Sequence, residues 1–494
     1  MKKKLLAGLT ALLCCAQMLP VMNVNALDPI MHGDVNFDGN IDIFDIILMN
    51  KAMFGKESLD TNQTYAADVD MDGHVDFNDS LNIMRYIVRL IPNFYGLQPT
   101  DRSTLQLSPS ATNLSEAYTA DEITGLEADE TFINRQTEFY LDLFQNSAEQ
   151  SKGENLLVSP YSVSQALAMT ANGADGQTKS EMESVLGNDI ELEKLNQYLY
   201  AQRISQPDTD TCKLSTANSI WIRDGFNVRP DFLQTNANYY GADAFHAPFD
   251  DSTVDDINHW IDYHTDNMIP QMLDNIPDNI VMYLINAVAF DGKWETSYQD
   301  SDVSKRDFTA YDGTAQSVDM MHSEKEYMYL KDEHAQGFYK YYAGRRYAFA
   351  AMLPDEDISI DDYVAGLTPE SLHETLANPK YELFSTNIPK FSYEYEIKLN
   401  DTLSEMGMPT AFTDAADFSG MSDISLCINE VRHKTFIDVS ETGTKAAAVT
   451  IIGTEPTSVQ LPSFEITLDR PFVYYIVDTE TYLPVFMGMV TTIK

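Results

Sequence analysis

Two stretches of this 494-residue chain repeat one series of oxygen donors, 34 residues apart. Residues 34–45 place Asp34, Asn36, Asp38, Asn40, Asp42 and Asp45 at positions 1, 3, 5, 7, 9 and 12 of a twelve-residue loop. Residues 68–79 place Asp68, Asp70, Asp72, His74, Asp76 and Asp79 at the same positions. Gly39 and Gly73 occupy position 6, where a sharp turn needs a free backbone. Calcium takes about six to eight oxygen ligands, and position 7 offers only a backbone carbonyl, so Asn40 and His74 are equally acceptable there. One such loop arises readily in an acidic chain. Two aligned copies predict two bound Ca2+ ions.

A second stretch carries a different chemistry. Glu441-Thr-Gly-Thr-Lys-Ala-Ala-Ala-Val449 begins acidic, contains one glycine and runs on in threonine and alanine. Strand side chains alternate between faces. Thr444, Ala446, Ala448, Thr450, Ile452 and Thr454 therefore share one face, and all are small, β-branched or apolar. Such a segment can enter a packed sheet as a new strand, with Gly443 as pivot and Lys445 on the wet face. An alanine run alone reads more often as helix. Thr450–Ser458 follows as an exposed loop, then a strand-like run ending in Leu468-Asp-Arg-Pro-Phe472.

This order resembles the hinge, reactive-centre loop and C-terminal signature of the serpins, a family of suicide protease inhibitors. Further matches run in order: Asn155-Leu-Leu-Val-Ser-Pro-Tyr-Ser162, Thr216–Ile222, Leu284–Trp294, Ile388-Pro-Lys-Phe391, Asp417-Phe-Ser-Gly420 and Val485-Phe-Met-Gly488. The resemblance implies an α+β fold of large mixed sheets with about nine helices. It implies a hinge at Glu441, Gly443, Thr444, Ala446, Ala447 and Ala448. Ser159, Ser162, Asn286 and His433 become a polar cluster where the sheet opens, the shutter. Trp294, Lys390 and Glu441 become the group where insertion begins, the breach. Counting from Glu441 places the reactive bond at Thr457–Ser458. No Arg or Lys occurs from Ala446 to Gln460, which points away from trypsin-like targets and toward elastase-like or subtilisin-like serine proteases. Lys445 stands where inhibitory members usually carry Glu. No residue is expected to act as a catalyst, since the partner protease supplies the chemistry and ends in a covalent complex. A non-inhibitory serpin, acting as a binding or chaperone-like protein, is the alternative.

The calcium-loop repeat resembles a dockerin, a small all-α module that plugs proteins into cohesin domains of cellulosome scaffolds. Position 12 is Asp rather than the Glu of a standard EF-hand. Each loop is followed by a helix-patterned run, Ile46–Phe54 and Ser80–Leu90. By resemblance Ile43, Phe44, Phe77 and Asn78 face the cohesin, with Lys51 and Arg85 at matching helix positions.

The elements that must position these groups follow from composition. Residues 1–26 carry a basic start, an apolar run and Val24-Asn-Ala26, the pattern of a signal peptide. The expected layout is a signal peptide at 1–26, the calcium module at 31–93, an extended linker at 94–130 and the large domain at 131–494. A net charge of −44 argues against binding nucleic acid, whose phosphates need Lys and Arg, and against docking on an anionic membrane. The signal implies a secreted, extracellular protein, associated by its module with a cell-surface cellulosome and expected to be monomeric. Cys212 and Cys427 remain after cleavage, either bonded or as two buried thiols. No G-x-S-x-G or H-E-x-x-H occurs, so an enzyme reading finds no support.

Overall fold

The computed structural model describes residues 33–37, 41–53, 56, 59, 61–67, 69, 75, 77–87, 107–114, 117–188, 190–209, 211–265, 268–269, 271–444 and 462–493. The chain divides into two units, Met1–Thr104 and Leu105–Lys494.

The first unit carries three helices, α1 Ile43–Met53, α2 Thr61–Ala67 and α3 Phe77–Ile87. Helices α1 and α3 start three residues before the apolar runs read from sequence, because the last loop acid sits inside the first helical turn. Asp45 accepts hydrogen bonds from the N–H groups of Val35 (2.8 Å), Asn36 (3.0 Å) and Asp42 (2.9 Å). Asp79 accepts from Val69 at 2.8 Å, the same contact in the second repeat. Val35, Ile46, Met49, Ala67, Val69 and Ile83 form the core. Six side chains among the described residues are a small core, and modules of this size usually need a metal or disulfides. Helix α2 was not anticipated from the sequence.

The second unit carries nine helices among the described residues: α4 Glu130–Gln150, α5 Pro160–Ala171, α6 Gly176–Gly187, α7 Leu192–Ile204, α8 Pro230–Tyr240, α9 Asp251–His264, α10 Ile360–Gly366, α11 Pro369–Ala377 and α12 Asn400–Glu405. Asp129 caps α4 by accepting from Phe132 N–H at 2.9 Å. The apolar face of α4, Phe132, Phe139, Leu143 and Phe144, is buried in the main core.

The eight-stranded sheet runs β1 (Thr112–Asn113), β5 (Asp243–Ala247), β4 (Cys212–Arg223), β6 (Met282–Lys293), β14 (Gly443–Thr444), β13 (Arg432–Val439) and β12 (Phe391–Lys398), with β3 (Asp208–Thr209) beside β4. The nine-stranded sheet runs β15 (Glu465–Thr467), β11 (Lys380–Pro389), β8 (Ala315–Lys331), β9 (Ala335–Tyr341), β10 (Tyr347–Pro354), β16 (Phe472–Asp478), β17 (Pro484–Val490) and β2 (Leu156–Val158), with β7 (Val303–Thr309) beside β8. Strands β10, β16 and β17 are buried along their whole lengths, as their unbroken apolar runs require.

The segment expected as linker, 94–130, is corrected by its described part. Leu107 and Ala111 pack beside Trp221, Phe245 and Trp260. Thr112 and Asn113 pair with His246 and Phe245. Ser108 gives its N–H and its hydroxyl to the Asp256 carboxylate on α9, each at 2.6 Å. Leu114, Tyr118 and Leu126 lie against the main core. From residue 107 the segment is therefore part of the large unit, because its scattered apolar residues find partners that a solvated linker lacks.

Candidate functional site

Strands β6 and β13 are joined only through β14 among the described residues. Gly443 pairs with Lys293, and Thr444 pairs with Gly292 on one side and Val439 on the other. The short turn is closed by Ser440 N–H to Gly443 carbonyl, 3.0 Å. At Gly443 a side chain has no space, since a Cβ there would lie 2.0 Å from the Gly292 carbonyl oxygen. Thr444 is 3% exposed, and its hydroxyl shares a 2.6 Å hydrogen bond with Tyr342. Tyr342 in turn stacks on Trp294, with ring centroids 4.6 Å apart.

Three consecutive carbonyls of the hinge are gripped by two residues. Trp294 donates its indole N–H to Ser440 and its backbone N–H to Thr442, both at 2.9 Å. Tyr298 donates its backbone N–H to Glu441 at 2.9 Å. Lys390 reaches the Glu441 carboxylate at 2.7 Å. Trp294, Lys390 and Glu441, picked out by resemblance, thus converge at one point. The ion pair is part-exposed, so it contributes about 1 kcal/mol or less.

Ser159, Ser162, Asn286 and His433 also meet. Ser159 caps α5 by accepting from Ser162 N–H at 3.2 Å, and donates its hydroxyl to Val485 carbonyl at 2.7 Å. Its own N–H donates to His433 Nε2 at 2.9 Å. That contact fixes Nε2 as an acceptor, and burial lowers the His433 pKa to about 4. Ser162 donates to Asn286, whose amide donates to Asn218 at 2.7 Å, whose amide donates to Tyr240 carbonyl at 2.8 Å. The cluster ties α5 to both sides of the gap between β6 and β13.

Past this cluster lies a cavity of about 840 Å³, lined by Leu284 and Asn286 of β6, Ser162 of α5, and Cys427, Val431 and His433 toward β13. Its walls are the two strands that β14 begins to bridge. Cys427 and Cys212 are both free thiols, and Cys427 is half-buried rather than buried. Burial pushes the Cys212 thiol up to about 12, so it behaves as a small apolar side chain.

In the first unit, Asp34 and Asp45 are both buried. Burial raises the pKa of Asp45, with the Asp34 charge adding the smallest share, against three backbone hydrogen bonds that lower it. Two buried acids in one loop fit a hard cation, whose charge would offset their burial and mutual repulsion. Asn36 and Asp42 lie within the same loop. Asp38, Asn40, Asp68, Asp70, Asp72, His74 and Asp76 lie outside the described residues. Ile43 and Phe44 are 46% and 62% exposed in the first turn of α1, and Lys51 is exposed two turns on. The side chains of Phe77, Asn78 and Arg85 lie outside the described residues, as do Ala446, Ala447, Ala448, Thr457 and Ser458.

Sequence reasoning missed Tyr342, Tyr298 and Asn218. Tyr342 follows Tyr341 beside Ala343, and Tyr298 stands among Thr, Ser, Gln and Asp, so neither carries a signature of its own. Asn218 had a signal, an amide inside the strand-like Thr216–Ile222 that must find buried partners.

Comparison with known proteins accords with this geometry. Residues 134–493 match the family model "Serpin (serine protease inhibitor)", and residues 32–88 match the dockerin type I domain. An uncharacterized serpin-like protein of Thermococcus kodakarensis is 30% identical over 397 residues, covering 77% of this chain and 91% of the relative. Leukocyte elastase inhibitor A of Mus musculus is 30% identical over 378 residues, covering 73% and 99%. The crystal structure of tengpin, a thermophilic serpin, in its native state superimposes with a TM-score of 0.73 at 46% identity, covering 78% of this chain and all of the other. Its latent-state structure gives 0.68 at 44% identity, covering 75% and all. With two open halves of a sheet, a seated hinge and a matching family model over residues 134–493, the chain belongs to the serpin family and bears a dockerin type I domain at its N-terminal end.

Proposed function

We propose that the chain is a secreted suicide inhibitor of serine proteases, held on a cellulosome scaffold through calcium-dependent docking on a cohesin. The observation that carries the inhibitor half is the seating of Gly443 and Thr444 between β6 and β13, with an unfilled cavity farther along the same two strands. A protease attacks a loop bond, at Thr457–Ser458 by the count from Glu441, and forms its acyl-enzyme. The freed loop then continues as the strand that β14 has begun. About 15 residues at about 3.3 Å each span on the order of 50 Å, so the tethered protease is carried across the domain. Its active site is distorted there and deacylation stalls. Thr444 directed at Tyr342 supports Ala446 and Ala448 as the next inward side chains, which a packed sheet accepts. The absence of Arg and Lys from Ala446 to Gln460 supports elastase-like or subtilisin-like targets.

The docking half rests on the repeat and on exposed Ile43 and Phe44. Asp34, Asn36, Asp38, Asp42, Asp45 and the Asn40 carbonyl would hold one ion, and Asp68, Asp70, Asp72, Asp76, Asp79 and the His74 carbonyl a second. Bound calcium supplies the positive charge that lets these acids share a loop.

The test is to mix the mature protein with a subtilisin-like and an elastase-like protease and run denaturing gels. A band at the summed mass that survives boiling in detergent supports the trap, and mass spectrometry of the released C-terminal peptide locates the bond. Clean cleavage without that band would move the reading to a non-inhibitory serpin.

A further inference from the structure

One buried cation lies directly behind the hinge. Lys340 of β9 is 5% exposed, and its ammonium donates to Glu326 of β8 at 2.9 Å, itself 15% exposed. The same nitrogen lies 4.4 Å from the centre of the Tyr298 ring and 5.8 Å from that of Trp294. These are the two residues whose N–H groups hold the carbonyls of Ser440, Glu441 and Thr442. A cation within about 6 Å of an aromatic face is attracted to it, most strongly when desolvated. Burying a charged pair adds little net stability over apolar side chains of similar size, because both ions lose their water. The pair therefore needs a reason other than core packing.

We propose that Lys340, held by Glu326, is a positioning residue that pins the Trp294 and Tyr298 rings and so sets how readily the hinge leaves its seat for insertion. This rests on the inhibitor reading above and names residues outside the expected group of Trp294, Lys390 and Glu441. The pin acts through the two rings on the backbone of residues 440–442, and only then on β14. Loss of the cation frees the rings to shift, loosens three consecutive hydrogen bonds and lowers the barrier to opening the gap between β6 and β13.

The experiment uses the full chain and a synthetic peptide copying residues 443–456, which competes for the seat of Gly443 and Thr444. Annealing is followed by native-gel mobility, and thermal stability is measured on the same samples. The variant Lys340→Met with Glu326→Gln removes both charges without leaving either unpaired, so it folds where Lys340→Met alone risks a stranded carboxylate. The double variant is expected to anneal the peptide on the order of tenfold faster, the scale of one desolvated cation–aromatic contact. Lys340→Arg keeps a cation over the rings and is expected to anneal at the parent rate. A double variant that anneals at the parent rate, whatever its melting temperature, overturns the proposal and leaves the inhibitor reading standing. A parent protein that takes up no peptide while remaining folded removes the insertion reading itself, and this proposal with it.

Discussion

The hydroxyls of Tyr342 and Thr444 share a 2.6 Å hydrogen bond beneath the eight-stranded sheet. The first inward-facing side chain of the hinge is thus already in the core of an uncleaved chain. A polar contact there is worth about 1 kcal/mol, enough to hold a strand end and too little to prevent its extension.

Thr444→Arg should turn the protein from trap to substrate. An unpaired charge at a 3% exposed site costs several kcal/mol, and each 1.4 kcal/mol is about tenfold in a rate or ratio. Titration of protease with inhibitor is expected to show at least about tenfold more cleaved inhibitor per covalent complex. An unchanged ratio would mean that a charge at residue 444 does not hinder the extension of β14.

His433 sets a pH window. Its folded pKa is depressed from 6.5 to about 4, so between these values the unfolded chain binds a proton that the native one refuses. Native stability is therefore fully present above about 6.5 and falls as pH drops toward 4, by up to about 3 kcal/mol for a shift of this size. Denaturant melts of His433→Gln should show a shallower acid slope than the parent. Parallel slopes would sink the assignment.

Glu441→Gln should weaken the anchor made by Lys390. The pair is part-exposed, so the stability loss is about 1 kcal/mol or less. Spontaneous loss of inhibitory activity on warming should quicken several-fold, and added salt should narrow the difference between parent and variant.

Chelation should act on the first unit alone. Its small core, six side chains among the described residues, cannot offset the repulsion of its acids without a cation. Hydrogen exchange on the full chain with a chelator should lose protection in α1 and α3 while β10 and β16 keep theirs.

Phe44→Asp should cut cohesin binding by about 2 kcal/mol or more, the scale of an apolar anchor, and leave melting unchanged. The side chain is 62% exposed, so it contributes little to the module's own core.

Sequence carried some of this and hid the rest, for physical reasons. Alternation alone placed Thr444 inward, because a strand has only two faces. The apolar face of α4 was legible from its four large side chains. His433 and Lys390 were reachable only by resemblance, since one histidine or lysine in a strand has no periodic signature. Tyr298, Tyr342 and Lys340 were not reachable, because their contacts to the hinge and to one another join segments far apart in sequence. The stretch from 107 to 130 looked like linker because Ser108-Pro-Ser-Ala-Thr and scattered acids mark it. Edge pairing of Thr112 and Asn113 depends on a strand more than a hundred residues away.

The two seated residues of β14 bear on timing. Adding a strand resembles other cooperative ordering, in which the first step is slow and later ones fast. Here the growing end exists before any protease arrives, so under the proposed mechanism cleavage removes a restraint and need not create a nucleus. The race against deacylation is then run by propagation alone, and its first obstacle is the knot of hydrogen bonds around His433.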